Sequence, residues 1–471
     1  MTTANRPPCA FGGDRGVPLP LGTTDLLAAA VPPAPAPPAF APDPGALLGH
    51  LLTAAFGLQR REPSNVFNDH RTAASVRGKY PVRVFVTGPS AGLRYHDPYR
   101  HALIDADPGM DRGAGLGADA STDATRVLLV PHLADFPVPY RLLRAALAAL
   151  ETGFQLRALA YAAQALDVRA EAGHPSGNSG TLLARTGGHT GPQWGTAVPV
   201  RLPGLSAAAT GPLRRVGRRR GPRPDDPTQD AALARGARPG SPADVCAPML
   251  LRHAATPLSG QAADRTWADL LWQRHSGRAV AHVGGFATQP RVIDATAVTD
   301  MAAWSAAEPP GALRPIARRV RTSVVVQRVN GVPDGVHRVR DGCLEFSSSA
   351  GADRGAGTFA ALESTFGYAT SPLTDSSLRH ANTVWVYSAD LRALLADEGA
   401  GAWELAQWCC GWAAHGICLA AAGHRLYART VRSYDEIAVQ HLLGLPEHET
   451  PLFMVINGVP RFIEPLLDLR V

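Results

Sequence analysis

Lysine is almost missing from this chain of 471 residues. Of its 46 lysine-plus-arginine positions one is lysine, Lys79, and the other 45 are arginine. Arginine supplies generic positive charge, but its guanidinium does not give up a proton near neutral pH, so it cannot stand in where an amine must act as a base. Cysteine is scarce as well. The six present (Cys9, Cys246, Cys343, Cys409, Cys410, Cys418) show neither paired metal-type spacing nor a disulfide framework. No run of about 18 apolar residues occurs, so no membrane-spanning helix is expected. The first residues, MTTANRPPCAFGGDRG, lack a charged region followed by an apolar core, so the expected compartment is the cytoplasm. Charge is likewise modest, +6 in total, with no basic stripe interleaved with aromatics, which argues against a nucleic-acid partner.

What is present is enough apolar sequence, 45%, for sizeable cores, and a length that allows about three domains. Residues 1–45 end in the Pro/Ala tract VPPAPAPPAFAPDPG and are expected to form an arm or linker. A first unit, residues 46–202, opens with a helix-like run, ALLGHLLTAAFG. The polar loop REPSNVFNDHRTAASVRG follows, then the strand YPVRVFVTG, the turn-rich piece YHDPYRHAL and the strand RVLLVP. A long helix from about Tyr140 to Val168 is apolar nearly all round, as a core helix must be. Residues 203–245, rich in Arg, Pro and Asp, read as a solvated linker.

Residues 246–471 repeat the order. TAVTDMAAW answers the first helix and TSVVVQRV the first strand. HRVRDGCLEF answers YHDPYRHAL, TVWVYSAD is the next strand, ELAQWCCGWAAHGICLAAAG is the second long helix, and PLFMVING is the last strand. The pattern predicts an α+β tandem of two like domains in place of three unrelated ones.

Two constellations could carry chemistry. In Arg274-His275-Ser276-Gly277-Arg278, an extended backbone would set residues 274, 276 and 278 on one side, two guanidiniums and a hydroxyl suited to a phosphate. In Thr72 to Pro81, a loop of small residues ends in Lys79 and Tyr80, two titratable groups able to serve as general base when buried beside a cation or in an apolar pocket. The halves are complementary. Between Arg15 and Arg60 there is no Arg or Lys, so the first half has no counterpart of RHSGR. In the second half ALRPIARRVRTS stands where SVRGKYP would be. One site assembled from both halves explains this pattern. Cys409, Cys410, His415 and Cys418 lie on an apolar helix and read as core, so no metal site is expected. The loop Ser176 to Gly191 reads as a lid, as a peptide-contact loop or as flexible surface.

In these motifs and their order, the chain resembles the flavin-dependent nitroreductase superfamily. Its Lys-Tyr pair is similar to that of the azoline dehydrogenases, which make thiazoles and oxazoles in ribosomally made peptides of the thiopeptide and microcin type. The resemblance implies tandem nitroreductase-like domains forming an intramolecular pseudo-dimer around one FMN, and it is compatible with further pairing of whole chains. Arg274, His275, Ser276 and Arg278 would hold the FMN phosphate, and Ser75 and Gly78 would approach the ring, with Arg71 and Arg77 as further contacts. Arg461, and the stretch from Arg425 to Ala428, would touch the flavin near the C-terminus. Lys79 and Tyr80 would transfer the proton as a thiazoline or oxazoline is oxidised to the azole. The implied partners are an azoline-containing precursor peptide and a cyclodehydratase complex with its leader-binding module. Three other functions share the pattern: a generic NAD(P)H nitro- or ene-reductase, a non-catalytic scaffold subunit of a peptide-modifying complex, and a peptide oxidase acting on a C-terminal cysteine.

Overall fold

The computed structural model describes residues 15–63, 65, 69–88, 91–105, 125–136, 140, 143–173, 195–205, 214–215, 249–251, 256–278, 284–347, 355–366, 374–376, 378–463 and 465–471. Residues 1–14, most of the 203–245 linker and the loop Ser176 to Gly191 lie outside this set. The rest of the stretch expected as an arm is more than an arm. Arg15–Pro18 (β1) pairs into a sheet through Gly16 to Pro18, and Thr23–Ala28 (α1) is a helix with Leu26 and Leu27 buried.

Pro44–Phe56 (α2) follows, with proline at its first position, where no amide donor is needed, and Gly57 after its end. Leu58–Arg61 (β2) and Asp69–Arg71 (β3) form a short antiparallel pair. The first large sheet then builds from Val82–Gly88 (β4), Ala91–Asp97 (β5), Ala102–Asp105 (β6), Thr125–Pro131 (β7), Glu171–Ala172 (β8) and Val198–Leu202 (β9). β4 is buried at every position but its last, as its Val- and Phe-rich sequence requires of a central strand. Leu143–Ala165 (α3) lies across this sheet.

The second half opens with Trp267–Gln273 (α4), whose start is fixed by a capping box between Thr266 and Asp269, and Ala295–Ser305 (α5). Its sheet comprises Arg321–Val326 (β10), Gly335–Arg340 (β11), Cys343–Phe346 (β12), Thr383–Ala389 (β13), Tyr427–Val431 (β14) and Thr450–Pro460 (β15). Ala402–Gly423 (α6) runs between β13 and β14.

The neighbour order in the first sheet is β6-β5-β4-β7-β9-β8, and in the second it is β12-β11-β10-β13-β15-β14. All these pairings are antiparallel. The molecule is thus an α+β protein of two like domains fused into an intramolecular pseudo-dimer. α3 and α6 cross at Gly153 and Gly411. A Cβ at Gly153 would lie 2.2 Å from the Trp408 carbonyl oxygen, and one at Gly411 would lie 2.1 Å from that of Leu150. Only glycine permits this approach. One apolar cluster runs through the crossing from Val17 to Val455, so the halves share a core. This is why both long helices are apolar all round: each has a sheet on one side and the other helix on another.

Candidate active site at the junction of the two halves

The end of α4 delivers the basic motif. Arg274 leaves helical geometry, and its carbonyl and that of Trp272 accept from Arg60 of β2, at 2.9 and 2.8 Å. A guanidinium capping a helix C-terminus is favoured by the unsatisfied carbonyls there. Arg274 Nη2 donates back across the junction to the carbonyl of Arg71, at 2.9 Å. The stretch does not extend as a strand, however. Gly277 has φ of +81°, and a Cβ there would meet Phe286 at 2.6 Å, so the chain turns and strict alternation fails. Arg274 and Arg278 nevertheless converge, because Arg278 turns inward to Glu62 at 2.9 Å. Ser276 is half-buried, with its carbonyl accepting from Arg429 at 3.2 Å. The His275 carbonyl accepts from the amide of Ala428, and its Nδ1 from that of Gly277.

The result is a buried cluster of Arg60, Arg71, Arg274 and Arg278, two of which, Arg60 and Arg278, pair with the Glu62 carboxylate. Burial pushes the Glu62 carboxyl up, but the hydrogen bond with His70 and the charges of Arg60 and Arg278 outweigh it and hold it well below the usual range. Burial pulls Arg60 down to about 10 and, with the neighbouring arginines, lowers His70 and His275. Arg60 and Arg278 thus share one acid. Arg71 Nε and Nη2 and Arg274 Nε are buried without a hydrogen-bond partner among the described residues. Unpaired buried donors of this kind cost about 1–3 kcal/mol each, and more when charged. Such a cluster suits an anion.

Arg71 also starts the loop that carries the lysine. Its guanidinium stacks over the Tyr80 ring at 4.5 Å, and its amide donates to the Tyr80 hydroxyl at 2.8 Å. That hydroxyl donates in turn to the Asp69 carbonyl, at 3.3 Å. Tyr80 is 2% exposed, and burial raises its pKa. Between these anchors Arg77, Gly78 and Tyr80 all adopt positive φ, of 49°, 62° and 49°. For arginine and tyrosine this region costs about 1–3 kcal/mol each and persists only where surroundings enforce it. Lys79 is half-buried within this held loop. Arg77 points away, exposed, over the Tyr140 ring. Arg461 has an exposed side chain, but its amide donates to the Ala287 carbonyl, and the Ala287 amide donates to Arg278, so the C-terminal strand does abut the basic motif.

Sequence reasoning missed three members. Arg60 and Glu62 sit in a polar stretch with nothing to distinguish them. Glu151 was findable, as the lone acid on an otherwise apolar stretch of helix. It lies on α3 beneath the loop, accepting from Ser75 Oγ and from the Val76 amide, both at 2.8 Å, while Ser75 Oγ accepts from the Tyr80 amide at 2.7 Å. Burial pushes its carboxyl up to about 8, with those two bonds pulling the other way. The folded state therefore holds a proton there that the unfolded chain releases near 4.5. This contribution to stability is complete below about pH 4.5 and is lost as pH rises through 8. Wild-type thermal stability should fall between pH 5 and 8 by up to roughly 3–5 kcal/mol from this group, and Glu151→Gln should flatten that slope. Equal slopes in the two proteins, followed by circular dichroism melts, would show Glu151 to be ionised throughout.

The cysteines of α6 are buried, and burial pushes Cys409, Cys410 and Cys418 up. Among the described residues no group of three or more His, Cys, Asp or Glu is placed to hold a metal, and no helix is long and apolar enough to cross a membrane.

No protein-family model matches the chain, and no curated protein does. Solved structures do. The crystal structure of a nitroreductase-like protein from Anabaena variabilis overlays 89% of this chain and 90% of its own, at a TM-score of 0.62 and 16% identity. This chain has the nitroreductase fold. The overlay runs through both halves, so the nitroreductase-like tandem is a property of the whole chain. The E. coli microcin synthetase McbBCD complex with truncated pro-MccB17 bound also overlays it, over 37% of this chain and 67% of that one, at a TM-score of 0.30 and 13% identity, too slight a match to transfer anything from that complex.

Proposed function

We propose that this protein is an FMN-dependent dehydrogenase that oxidises azoline rings, formed from Cys, Ser or Thr in a ribosomally made peptide, to the aromatic azoles. The observation that carries the reading is the buried arginine cluster, drawn from both halves, with unpartnered donors beside the loop that holds the only lysine. The cluster fits a flavin phosphate. Arg274 and Arg71 have donors to give, Arg278 and Ser276 flank them, and Arg60 keeps the end of α4 in place. Gly78 and Ser75 belong to the loop that would face the ring. When bound, the flavin supplies a two-electron sink that accepts hydride.

The chain's own task is then orientation and one proton. The azoline loses a proton from its ring Cα together with the hydride, and Lys79 as the free amine takes that proton. Tyr80 would act mainly by position, because its hydroxyl is committed to two backbone groups and its ring to Arg71. Glu151 holds Ser75 and Val76, which fixes the loop. The peptide would arrive from a cyclodehydratase complex with its leader-binding module.

The test is incubation of the flavin-loaded protein with a thiazoline-bearing peptide in air. A product about 2 Da lighter per ring supports the reading. Rapid flavin reduction by NAD(P)H without any loss of mass from the peptide would favour a nitro- or ene-reductase instead.

A further inference from the structure

The crossing of α3 and α6 fixes which residues of the two halves correspond. Gly153 meets Trp408 and Gly411 meets Leu150, at the same spacing, which makes Cys409 the counterpart of Glu151. The loops agree. Glu151 grips Ser75 and Val76 ahead of β4, and Cys409 Sγ donates to the carbonyl of Leu313, at 3.6 Å, in the segment ahead of β10. The place that mirrors the lysine loop is therefore the segment 306–320, and there the surface opens into a cleft of about 740 Å³ floored by Tyr387 and Trp412.

Five arginines line this cleft (Arg314, Arg318, Arg321, Arg338, Arg340) against three acids (Glu308, Asp341, Glu449). Arg314 and Arg318 share Glu308, at 3.2 and 4.0 Å, and Arg321 pairs with Glu449. Arg340 turns to Glu345, outside the cleft, at 3.3 Å. Arg338, half-buried, has no ion-pair partner among the described residues. Positive charge thus exceeds negative. Arg314, Arg318 and Arg340 are solvent-exposed and spaced along the walls, unlike the buried, convergent guanidiniums of Arg71 and Arg274. Spaced, solvated guanidiniums suit a row of carboxylates better than a single phosphate. The size lies within the range of about 300–1,000 Å³ common for ligand clefts.

We propose that this cleft binds an acidic peptide segment. The identification of that segment as part of the peptide being oxidised rests on the function proposed above, whereas the binding itself does not. The experiment uses the full chain and fluorescein-labelled hexaglutamate, followed by fluorescence anisotropy, with the fold of every variant checked by melting temperature. Wild-type protein should bind, and Arg318→Gln with Arg338→Gln should weaken binding about tenfold, the sum of two partly exposed ion pairs. Arg169→Gln with Arg291→Gln removes as much charge away from the cleft and should leave binding unchanged. Absence of binding, or equal loss in both double variants, would overturn the proposal. So would displacement of the peptide by inorganic phosphate at matched concentration, which would mark a phosphate site. Because hexaglutamate carries no azoline, any of these failures leaves the oxidation assay to be judged separately.

Discussion

Lys79→Arg protein is expected to fold and to keep its flavin, while turning over an azoline peptide about 10²–10⁴-fold more slowly, the usual span for loss of a general base. The substitution keeps charge and reach. It removes only access to a neutral amine, since guanidinium stays protonated up to about pH 12. The measurement is single-turnover flavin reduction by the peptide, which isolates the chemical step from reoxidation. Tyr80→Phe belongs beside it and has a different signature. It deletes the donor to the Asp69 carbonyl and the acceptor for the Arg71 amide, so it should loosen the loop and lower melting temperature along with rate. A normal rate with Lys79→Arg would reduce the only lysine to an accident of composition.

Arg274→Met together with Arg278→Met should weaken FMN binding by about 10²–10⁴-fold, because a hydrogen bond to a charged group contributes roughly 1.5–3 kcal/mol. These side chains are 2% and 9% exposed, so they do not hang in an open cleft and the fold feels their loss. Removing Arg278 leaves Glu62 with Arg60, His70 and Asn65, and removing Arg274 takes a donor from the Arg71 carbonyl. The discriminating readout is therefore the gap in melting temperature between flavin-loaded and flavin-free protein, which reports binding to the native state alone. In wild-type protein the gap should be wide, and in the double variant it should nearly close. An unchanged gap would remove these arginines from the phosphate site.

The tandem was legible because burial leaves a period. TSVVVQRV and TVWVYSAD read as strands, both long helices read as apolar all round, and the order of elements repeated. RHSGR and the lysine loop were legible as types of residue in the right order. Their meeting was not, because nothing in the sequence says that Arg274 would reach the carbonyl of Arg71, about 200 residues earlier. The turn at Gly277 was hidden for a different reason. Glycine permits extended and left-handed backbone alike, and the wall of Phe286 that selects between them comes from outside the motif. β1 escaped notice because a strand of four residues beside prolines carries too short a pattern. The arginine-lined cleft was masked by abundance: with arginine nearly everywhere, five more drew no attention until the fold placed them on one concavity.

In the proposed enzyme two nitroreductase-like halves share one flavin site, with basic residues from the second half and the lysine loop from the first. Counting flavin decides whether there is one such site. Purified protein saturated with FMN and freed of excess should be denatured, and the released cofactor identified by mass and quantified by absorbance against chain concentration. One FMN per chain is the predicted result. Two per chain would show that the cleft at segment 306–320 still holds flavin, and none would leave the arginine cluster without the ligand assigned to it.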